Sequence, residues 1–319
     1  MDEILIAEDI VKNYGNFRAL NEVTIKVPRG SIFGLLGPNG AGKTTFIRIL
    51  NQITMPDAGI VYFDGRKLAP DDVHYIGYLP EERGLYKRMK VGEQALYLAQ
   101  LKGLSRSEAR DRLKYWFDKF EIGQWWHRKV EELSKGMAQK LQFIITVLHE
   151  PKLLIFDEPF SGFDPINANL IKEEILRLKE NGASIIFSTH RMESVEELCE
   201  YIALIHEANK VLDGKLTDIK KEFKTNTFEV GLVTDDKETL LKELRERFEV
   251  SKAHFKSLED DLKLNVRLLN GESSSDLIRY LNSRAFINHY VEVVPTANDI
   301  FIRTVSQNSI PAKSENPTV

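Results

Sequence analysis

The chain begins with two segments in which apolar and polar residues alternate. The pattern places apolar residues at Ile4 and Ile6 and again at Val23, Ile25 and Val27, and Gly15-Asn16 lies between the two segments. Alternation with a period of two is typical of half-buried strands, and a Gly-Asn pair favours a turn. We therefore predict antiparallel β structure at the start of the chain.

Three short, largely apolar runs follow, at residues 32–36, 153–156 and 184–187. Such runs, flanked by segments with helical spacing, are typical of strands buried on both faces of a parallel sheet, which predicts an α/β fold. Residues 91–120 are rich in charge and repeat apolar residues with helical spacing. We predict a helical subdomain at about residues 85–150.

A Lys-rich polar stretch at residues 215–226 ends the α/β pattern and predicts a linker. Beyond it the pattern predicts the order strand, helix, two strands, helix, strand, with the second strand at His254–Leu258. This order is typical of a ferredoxin-like α+β domain, which we place at residues 227–305 as an accessory domain. Residues 306–319 have the composition of a disordered tail.

Composition and charge narrow the class of protein. The chain has 319 residues, enough for two domains, and its 44 basic and 48 acidic side chains give a net charge of −4, which disfavours a nucleic-acid binder. The single cysteine, Cys199, fits a reducing compartment. The apolar runs are far shorter than the roughly 20 residues of a membrane span, and the acidic start lacks the features of a secretory signal. We expect a cytoplasmic protein.

The strongest local signal is a glycine-rich segment, Gly37-Pro38-Asn39-Gly40-Ala41-Gly42-Lys43-Thr44-Thr45. It satisfies the pattern G-x-x-x-x-G-K-[ST] between a predicted strand and a helical run, the context of a phosphate-binding loop. Glycines let backbone N–H groups close around a phosphate, Lys43 supplies positive charge to the β and γ phosphates, and the Thr44 hydroxyl is suited to bind Mg²⁺. We predict a nucleotide site, with ATP as the default nucleotide.

Two adjacent carboxylates follow the apolar run at residues 153–156. Asp157 is expected to reach the Mg²⁺ held by Thr44, directly or through water, and Glu158 to polarise an attacking water. Acidic residues after a strand are also compatible with a solvated turn or a helix cap. Their combination with the phosphate loop favours the catalytic interpretation.

Three further motifs complete an ordered set: Leu133-Ser134-Lys135-Gly136-Met137 before a helical stretch, Ser161–Pro165 after the Asp-Glu strand, and His190 at the end of the next strand. With the phosphate loop and the Asp-Glu pair, these motifs occur in the order of the ATP-binding cassette (ABC) ATPases, which residues 3–220 resemble. The resemblance implies a P-loop ABC ATPase core with antiparallel β and helical subdomains, in a nucleotide-binding domain at residues 1–220.

The resemblance also implies roles for single residues. Tyr14 is expected to stack on adenine, His190 to contact the γ-phosphate and the attacking water, and Asp164 to lie in a loop that passes between subunits. In the family the signature loop, here with Ser134 and Gly136, closes over the γ-phosphate held by a second subunit. This implies a head-to-tail dimer around two Mg-ATP, formed with a second copy or with a related ABC subunit.

The chain departs from the broad family in three places. Glu81 stands where many members have Gln; it is a candidate Mg²⁺ ligand and nucleotide-site residue that adds negative charge. Lys135 and Met137 replace the commoner Gly and Gln of the signature, and Lys135 either attracts phosphate or is solvated. The C-terminal extension is the third departure. Together these features resemble a bacterial exporter-type subgroup akin to the sodium-extrusion ATPases.

Transport would require a separate integral-membrane permease, and would place the chain on the inner face of the cell membrane. We expect a cytoplasmic helix of the permease to dock within residues 81–100, at Leu85, Tyr86, Met89 and Leu96, although these residues are also compatible with the subdomain's own core. Two alternatives stay open: a soluble, non-transport ABC ATPase, disfavoured by the absence of a long heptad run, and a nucleotide-dependent regulatory subunit whose second domain senses a small molecule.

Overall fold

A computed structural model describes residues 2–82, 84–257, 261–269 and 271–308. They form two compact units. One holds the described residues up to Leu216 together with those from Phe301 onward, and the other is Thr217–Ile300.

An antiparallel sheet opens the first unit, as the alternating pattern predicts. Strand β1 (Glu3–Tyr14) pairs with β2 (Phe17–Pro28) on one side and with β4 (Ala58–Phe63) on the other, and β5 (Arg66–Lys67) pairs with β4. One face of β1 and β2 is buried, because their apolar residues alternate with polar ones that face outward.

A six-stranded sheet forms the centre of this unit. Its strands are β3 (Ile32–Leu36), β6 (Ile76–Leu79), β7 (Leu153–Asp157), β8 (Ser184–Ser188), β9 (Tyr201–His206) and β10 (Asn209–Lys215), in the order β10-β9-β3-β8-β7-β6. The pairs from β9 to β6 are parallel, and β10 is antiparallel to β9. Every residue of β3, β7 and β8 is buried, which confirms the prediction of an α/β core made from the three apolar runs.

The helices between these strands in the described part of the chain are α1 (Lys43–Leu50), α2 (Val91–Leu101), α3 (Arg106–Lys119), α4 (Lys135–Val147), α5 (Pro165–Glu180) and α6 (Met192–Leu198). Helices α2 to α4 lie between β6 and β7 in the chain, where the helical spacing predicts them. Phe143 of α4 contacts the rings of Trp116 and Phe156, so the core of these helices is continuous with β7. Within the described ranges, no helix is both long and apolar enough to cross a bilayer.

The second unit contains an antiparallel sheet on which helices α8 (Lys237–Arg247) and α9 (Ser274–Asn282) pack. Its elements are β11 (Thr227–Val233), α8, β12 (Glu249–Lys252), β13 (Leu262–Arg267), α9 and β14 (Phe286–Glu292), and its strand order is β12-β13-β11-β14. Apolar residues of the strands and of both helices form one core. All neighbouring strands are antiparallel.

Three local predictions are corrected by this structure. The second strand of this domain, expected at His254–Leu258, is instead Glu249–Lys252. Phe255 does not extend that strand, because its ring stacks on the ring of His289 with the centroids 4.0 Å apart. Leu258 lies outside the described residues. The predicted linker contains helix α7 (Leu216–Glu222), in which Leu216 and Ile219 are buried. Residues 306–308 of the predicted tail end helix α10 (Ala297–Asn308), whose apolar face is buried at Ile300, while residues 309–319 lie outside the described part.

Candidate active site

A cleft of about 410 Å³ lies at the carboxyl ends of β3, β6, β7 and β8. In open parallel sheets, ligands bind at this edge because the loops that follow the strands converge there. The lining residues are Phe17, Ala19, Asn39, Gly40, Gly42, Lys43, Thr44, Thr45, Glu81, Asp157, Glu158 and His190. Four motifs that are far apart in the chain therefore meet: the glycine-rich loop, Glu81, the Asp-Glu pair and His190.

The glycine-rich loop after β3 has a backbone that only glycine fits at two positions. Gly37 has φ +150°, and a Cβ there would lie 2.2 Å from the carbonyl oxygen of Ile205; Gly42 has φ +115°, and its Cβ would lie 2.4 Å from that of Ala19. The loop leads into α1, whose first turn contains no acidic residue. The partial positive charge of the helix N-terminus is therefore not neutralised by its own first turn, which suits an anion. Pro38 and Ala41 line an adjoining cavity together with Phe17.

Lys43 is held inside this loop. Its Nζ donates hydrogen bonds to the carbonyl oxygens of Gly37 at 2.7 Å and Pro38 at 3.0 Å. Burial lowers the pKa of the Lys43 ammonium, and the charges of Asp157, Glu158 and Glu81 oppose that shift. The ammonium is thus a largely desolvated cation, and such a cation interacts strongly with a phosphate group.

Asp157 ends β7 and is 4 % exposed. Burial, and then the nearby charges of Glu81 and Glu158, raise its pKa to about 6. Three carboxylates and the Thr44 hydroxyl line the cleft beside one cationic lysine, an oxygen-rich and negatively charged set that suits a hard cation. No group of three or more His, Cys, Asp or Glu side chains forms a metal cage in the described part of the chain. The residues therefore fit Mg²⁺ in its usual mode, with few protein ligands and the remainder from phosphate and water.

Glu158 and His190 join the ends of β7 and β8. The Glu158 N–H donates to the Ser188 carbonyl at 2.8 Å, and Glu158 Oε1 accepts the His190 N–H at 2.7 Å and lies 2.6 Å from His190 Nδ1. Glu158 Oε2 accepts a hydrogen bond from Thr189 Oγ1 at 3.1 Å. Glu158 has φ +51°, a left-handed conformation that costs a non-glycine residue about 1–3 kcal/mol and is concentrated at functional sites. The carboxylate is therefore fixed by three groups of one neighbouring loop.

The aromatic residue that lines the cleft is Phe17, and sequence reasoning missed it. Tyr14 and Phe17 are opposite each other across the β1–β2 turn, and Tyr14 is not among the lining residues of the cleft. The Tyr14 ring lies 5.7 Å from Lys12 Nζ instead, and Phe17 is 60 % exposed. An aromatic residue directly after the Gly15-Asn16 turn is the signal that would have indicated it.

The signature loop and Asp164 do not line the cleft of their own chain. Ser134 caps α4 by accepting the Met137 N–H at 3.3 Å, and Asp164 caps α5 by accepting the Asn167 N–H at 3.0 Å. The Lys135 side chain packs on Gly162, where a Cβ would lie 2.7 Å from Lys135 Cε. Within one chain, these residues therefore act as helix caps and as packing between two loops.

Comparisons with known families agree with this geometry. Residues 20–161 match the family described as ABC transporter. Residues 214–305 match the family described as the C-terminal domain of ATP-binding protein DrrA1-3-like proteins.

Individual relatives match over most of the chain. An uncharacterized ABC transporter ATP-binding protein of Bacillus subtilis, YhaQ, is 41 % identical over 302 residues, 95 % of this chain and 98 % of the relative. The ABC transporter ATP-binding protein NatA of the same organism is 35 % identical over 206 residues, 63 % of this chain and 84 % of NatA. A solved structure of the ATP-binding subunit of an ABC transporter superposes with a TM-score of 0.65 and 32 % identity, covering 69 % of this chain and 93 % of that one. The chain therefore belongs to the ATP-binding proteins of ABC transporters, and is an ABC transporter ATPase.

Proposed function

We propose that this chain hydrolyses ATP in the cleft as the energising subunit of an exporter, and that it drives a separate integral-membrane permease. The observation that carries the proposal is the Glu158 carboxylate, held 2.6 Å from His190 Nδ1 in the same cleft as Lys43 and the phosphate-binding loop. This arrangement supplies both parts that phosphoryl transfer to water requires: groups that hold the phosphates and a base that orients the water.

The residues of the cleft have separate tasks in this proposal. The loop N–H groups and Lys43 hold the β and γ phosphates, and Glu158 polarises the attacking water and accepts its proton. His190, fixed by its bonds to Glu158, contacts the γ-phosphate and the water. Thr44, Asp157 and Glu81 are the residues that would hold Mg²⁺, which when bound neutralises charge on the β and γ phosphates.

We also propose a head-to-tail dimer that encloses two ATP molecules. Ser134, Lys135, Gly136 and Asp164 lie outside the cleft of their own chain, so a nucleotide bound there would need a second subunit to contact them. Ser134 and Gly136 lie at the N-terminus of α4, whose first turn carries no acidic residue, and this favours contact with an anion. Hydrolysis would then weaken the bridge between the subunits.

Phe17 is the residue that we expect to contact the adenine ring. Replacing Phe17 by Ala should weaken ATP binding roughly tenfold, since stacking of an aromatic side chain on a base is worth about 1–3 kcal/mol. Replacing Tyr14 by Ala should change ATP affinity less, because Tyr14 is not among the residues that line the cleft. Titration of a fluorescent ATP analogue into both variants measures this difference. A larger loss for Tyr14→Ala would restore Tyr14 as the stacking residue.

Helices α2 to α4, with the segments that join them to each other and to β6, are called the helical part. An apolar groove in the helical part offers a place for the permease. It has a volume of about 330 Å³ and is lined by Val73, Tyr78, Pro80, Gly84, Leu85, Leu98, Leu101, Lys102, Gln142, Ile145 and Thr146. Tyr86, directly after Leu85, is 53 % exposed, and its ring lies 6.4 Å from that of Tyr97. Of the four residues expected to receive the permease, Leu85 lines the groove, Tyr86 borders it, and Met89 and Leu96 are partly buried. We call this groove, with Tyr86 at its border, the docking groove.

The docking groove predicts the effect of charge at its border. The double variant Tyr86→Asp/Met89→Asp should lose association with the permease and keep its basal ATPase activity, because neither residue lines the ATP cleft. The measurement is a pull-down: the tagged chain is incubated with Mg-ATP and detergent-solubilised membranes of the producing cell. The amount of multi-spanning protein recovered with the tagged chain is then determined.

A matched control is Met55→Asp/Tyr75→Asp, two exposed residues of the same unit that lie outside the docking groove. It should retain the membrane partner. Equal recovery with Tyr86→Asp/Met89→Asp would contradict the docking groove. Recovery of soluble partners alone, with the unsubstituted chain, would contradict the transporter role and favour a non-transport ABC ATPase.

The proposed cargo, direction and location are based on the resemblance to the sodium-extrusion subgroup. This resemblance supports export of sodium or another small solute, with the chain held on the inner face of the membrane by its permease.

The second unit supports a ferredoxin-like fold, because its order β-α-β-β-α-β is combined with the strand order β12-β13-β11-β14. We propose the domain limits 1–220 and 227–305 on the same basis.

A further inference from the structure

Two basic segments, distant in the chain, form one exposed patch in the helical part. Lys87, Arg88 and Lys90 precede α2, and His127, Arg128 and Lys129 precede the signature loop. All six side chains are exposed. We call these six residues the basic patch. Five of the six are Lys or Arg, so the basic patch concentrates positive charge in a chain whose net charge is −4.

Backbone hydrogen bonds hold the two segments together. The Val91 N–H donates to the Arg128 carbonyl at 2.9 Å, the Val130 N–H to the Met89 carbonyl at 3.0 Å, and the Glu131 N–H to the Lys87 carbonyl at 3.0 Å. Lys90 and Lys129 form an antiparallel bridge. Because the segments are fixed to each other, the charges are brought together before any partner binds, which lowers the entropic cost of binding.

Most of this charge has no ion-pair partner among the residues that the structure describes. Lys90 lies 3.9 Å from Glu93 and Lys129 lies 3.6 Å from Glu131, and these exposed pairs contribute little. Lys87, Arg88 and Arg128 form no ion pair with any residue of the described ranges. Three cations are therefore available to an external anion.

The basic patch adjoins the docking groove. Gly84 and Leu85 line the groove, Tyr86 borders it, and Lys87 and Arg88 follow directly in the chain. A partner that places apolar side chains in the groove therefore brings its flanking residues to Lys87 and Arg88. This adjacency favours a peptide segment over lipid headgroups, because headgroups would satisfy the cations and leave the groove unfilled.

We propose that the basic patch binds carboxylates of an acidic cytoplasmic segment of the permease, whose apolar side chains enter the docking groove. The inference rests on the proposed transporter function and adds the chemistry of the partner. It predicts that association depends on ionic strength, because exposed charges attract across a solvated interface and are screened by salt.

The test compares two triple variants with the same charge change. Lys87→Glu/Arg88→Glu/Arg128→Glu removes the three free cations, and Arg106→Glu/Arg110→Glu/Lys114→Glu makes the same change on α3 of the same helical part. Binding to inside-out membrane vesicles of the producing cell, washed free of peripheral proteins, is measured by sedimentation at several salt concentrations. We expect at least about tenfold weaker binding for the first variant at low salt, a shallower salt dependence, and a change within about twofold for the control.

ATPase activity without membranes and the thermal midpoint should be unchanged in both variants, which separates docking from folding. Lys87→Gln/Arg88→Gln/Arg128→Gln should show an intermediate loss. Unchanged affinity and salt dependence in the charge-reversed variant would overturn the inference and leave the transporter role intact. Equal binding to protein-free phosphatidylglycerol liposomes would overturn it in favour of lipid headgroups. Failure of the unsubstituted chain to bind any vesicle would overturn the inference together with the proposed function.

Discussion

Replacing Glu158 by Gln is expected to lower ATP turnover by roughly 10²–10⁴-fold, the usual contribution of a positioned general base. In the unsubstituted chain, Glu158 Oε1 accepts the backbone N–H of His190 at 2.7 Å. Glutamine has the same shape and keeps an oxygen that can accept this hydrogen bond. It has no negative charge and cannot take a proton from water. Mg-ATP binding should persist, so ATP-bound dimers should accumulate.

Phosphate release and size-exclusion chromatography with Mg-ATP measure the two effects of this substitution. Glu173→Gln is a suitable control, because Glu173 is an exposed residue of α5 outside the cleft. It should hydrolyse ATP at the normal rate and show no additional dimer. Normal hydrolysis by the Glu158→Gln variant would show that Glu158 is not the base.

Replacing Lys43 by Ala is expected to weaken ATP binding by about 30-fold or more, since loss of one partner of a desolvated ion pair costs about 2–5 kcal/mol. The substitution removes the cation of the loop and leaves Asp157, Glu158 and Glu81 uncompensated beside the phosphates. Hydrolysis should fall with binding, in contrast to Glu158→Gln, which separates the two functions.

Isothermal titration with ATP and Mg²⁺ measures the affinity of this variant. Lys43→Arg should also bind weakly, because the Gly37 and Pro38 carbonyls hold the compact ammonium at 2.7 and 3.0 Å and a planar guanidinium is a different shape. Lys114→Ala, an exposed residue of α3, should bind as the unsubstituted chain does. Unchanged affinity after Lys43→Ala would refute the assignment of the phosphate-binding loop.

Local sequence patterns predicted much of the nucleotide-binding unit. The runs at residues 32–36, 153–156 and 184–187 are strands β3, β7 and β8, and all their residues are buried. The glycine-rich segment predicted the loop before α1, because the conformations of Gly37 and Gly42 are open only to glycine. These predictions are accurate because burial on both faces and positive φ each restrict the residue type at single positions.

Other features depend on contacts between distant segments. Phe17 lines the cleft because of the register of β1 and β2, and the strand at Glu249–Lys252 was missed because Phe255 packs on His289 from another strand. The tail prediction overlooked the last turn of α10, because a polar composition does not reveal that one helical face is buried.

The sequence by itself determined the family, the α/β core and the positions of the glycine-rich loop and the Asp-Glu pair after buried strands, because each depends on short runs of neighbouring residues. Only the tertiary structure decided that Glu158 is fixed by His190 and Thr189, that Phe17 and not Tyr14 lines the cleft, and that residues 87–90 meet residues 127–129. The physical reason is the same in each case. Strand order, register and backbone hydrogen bonds bring together residues that are distant in the chain, and no local pattern of residues encodes that proximity.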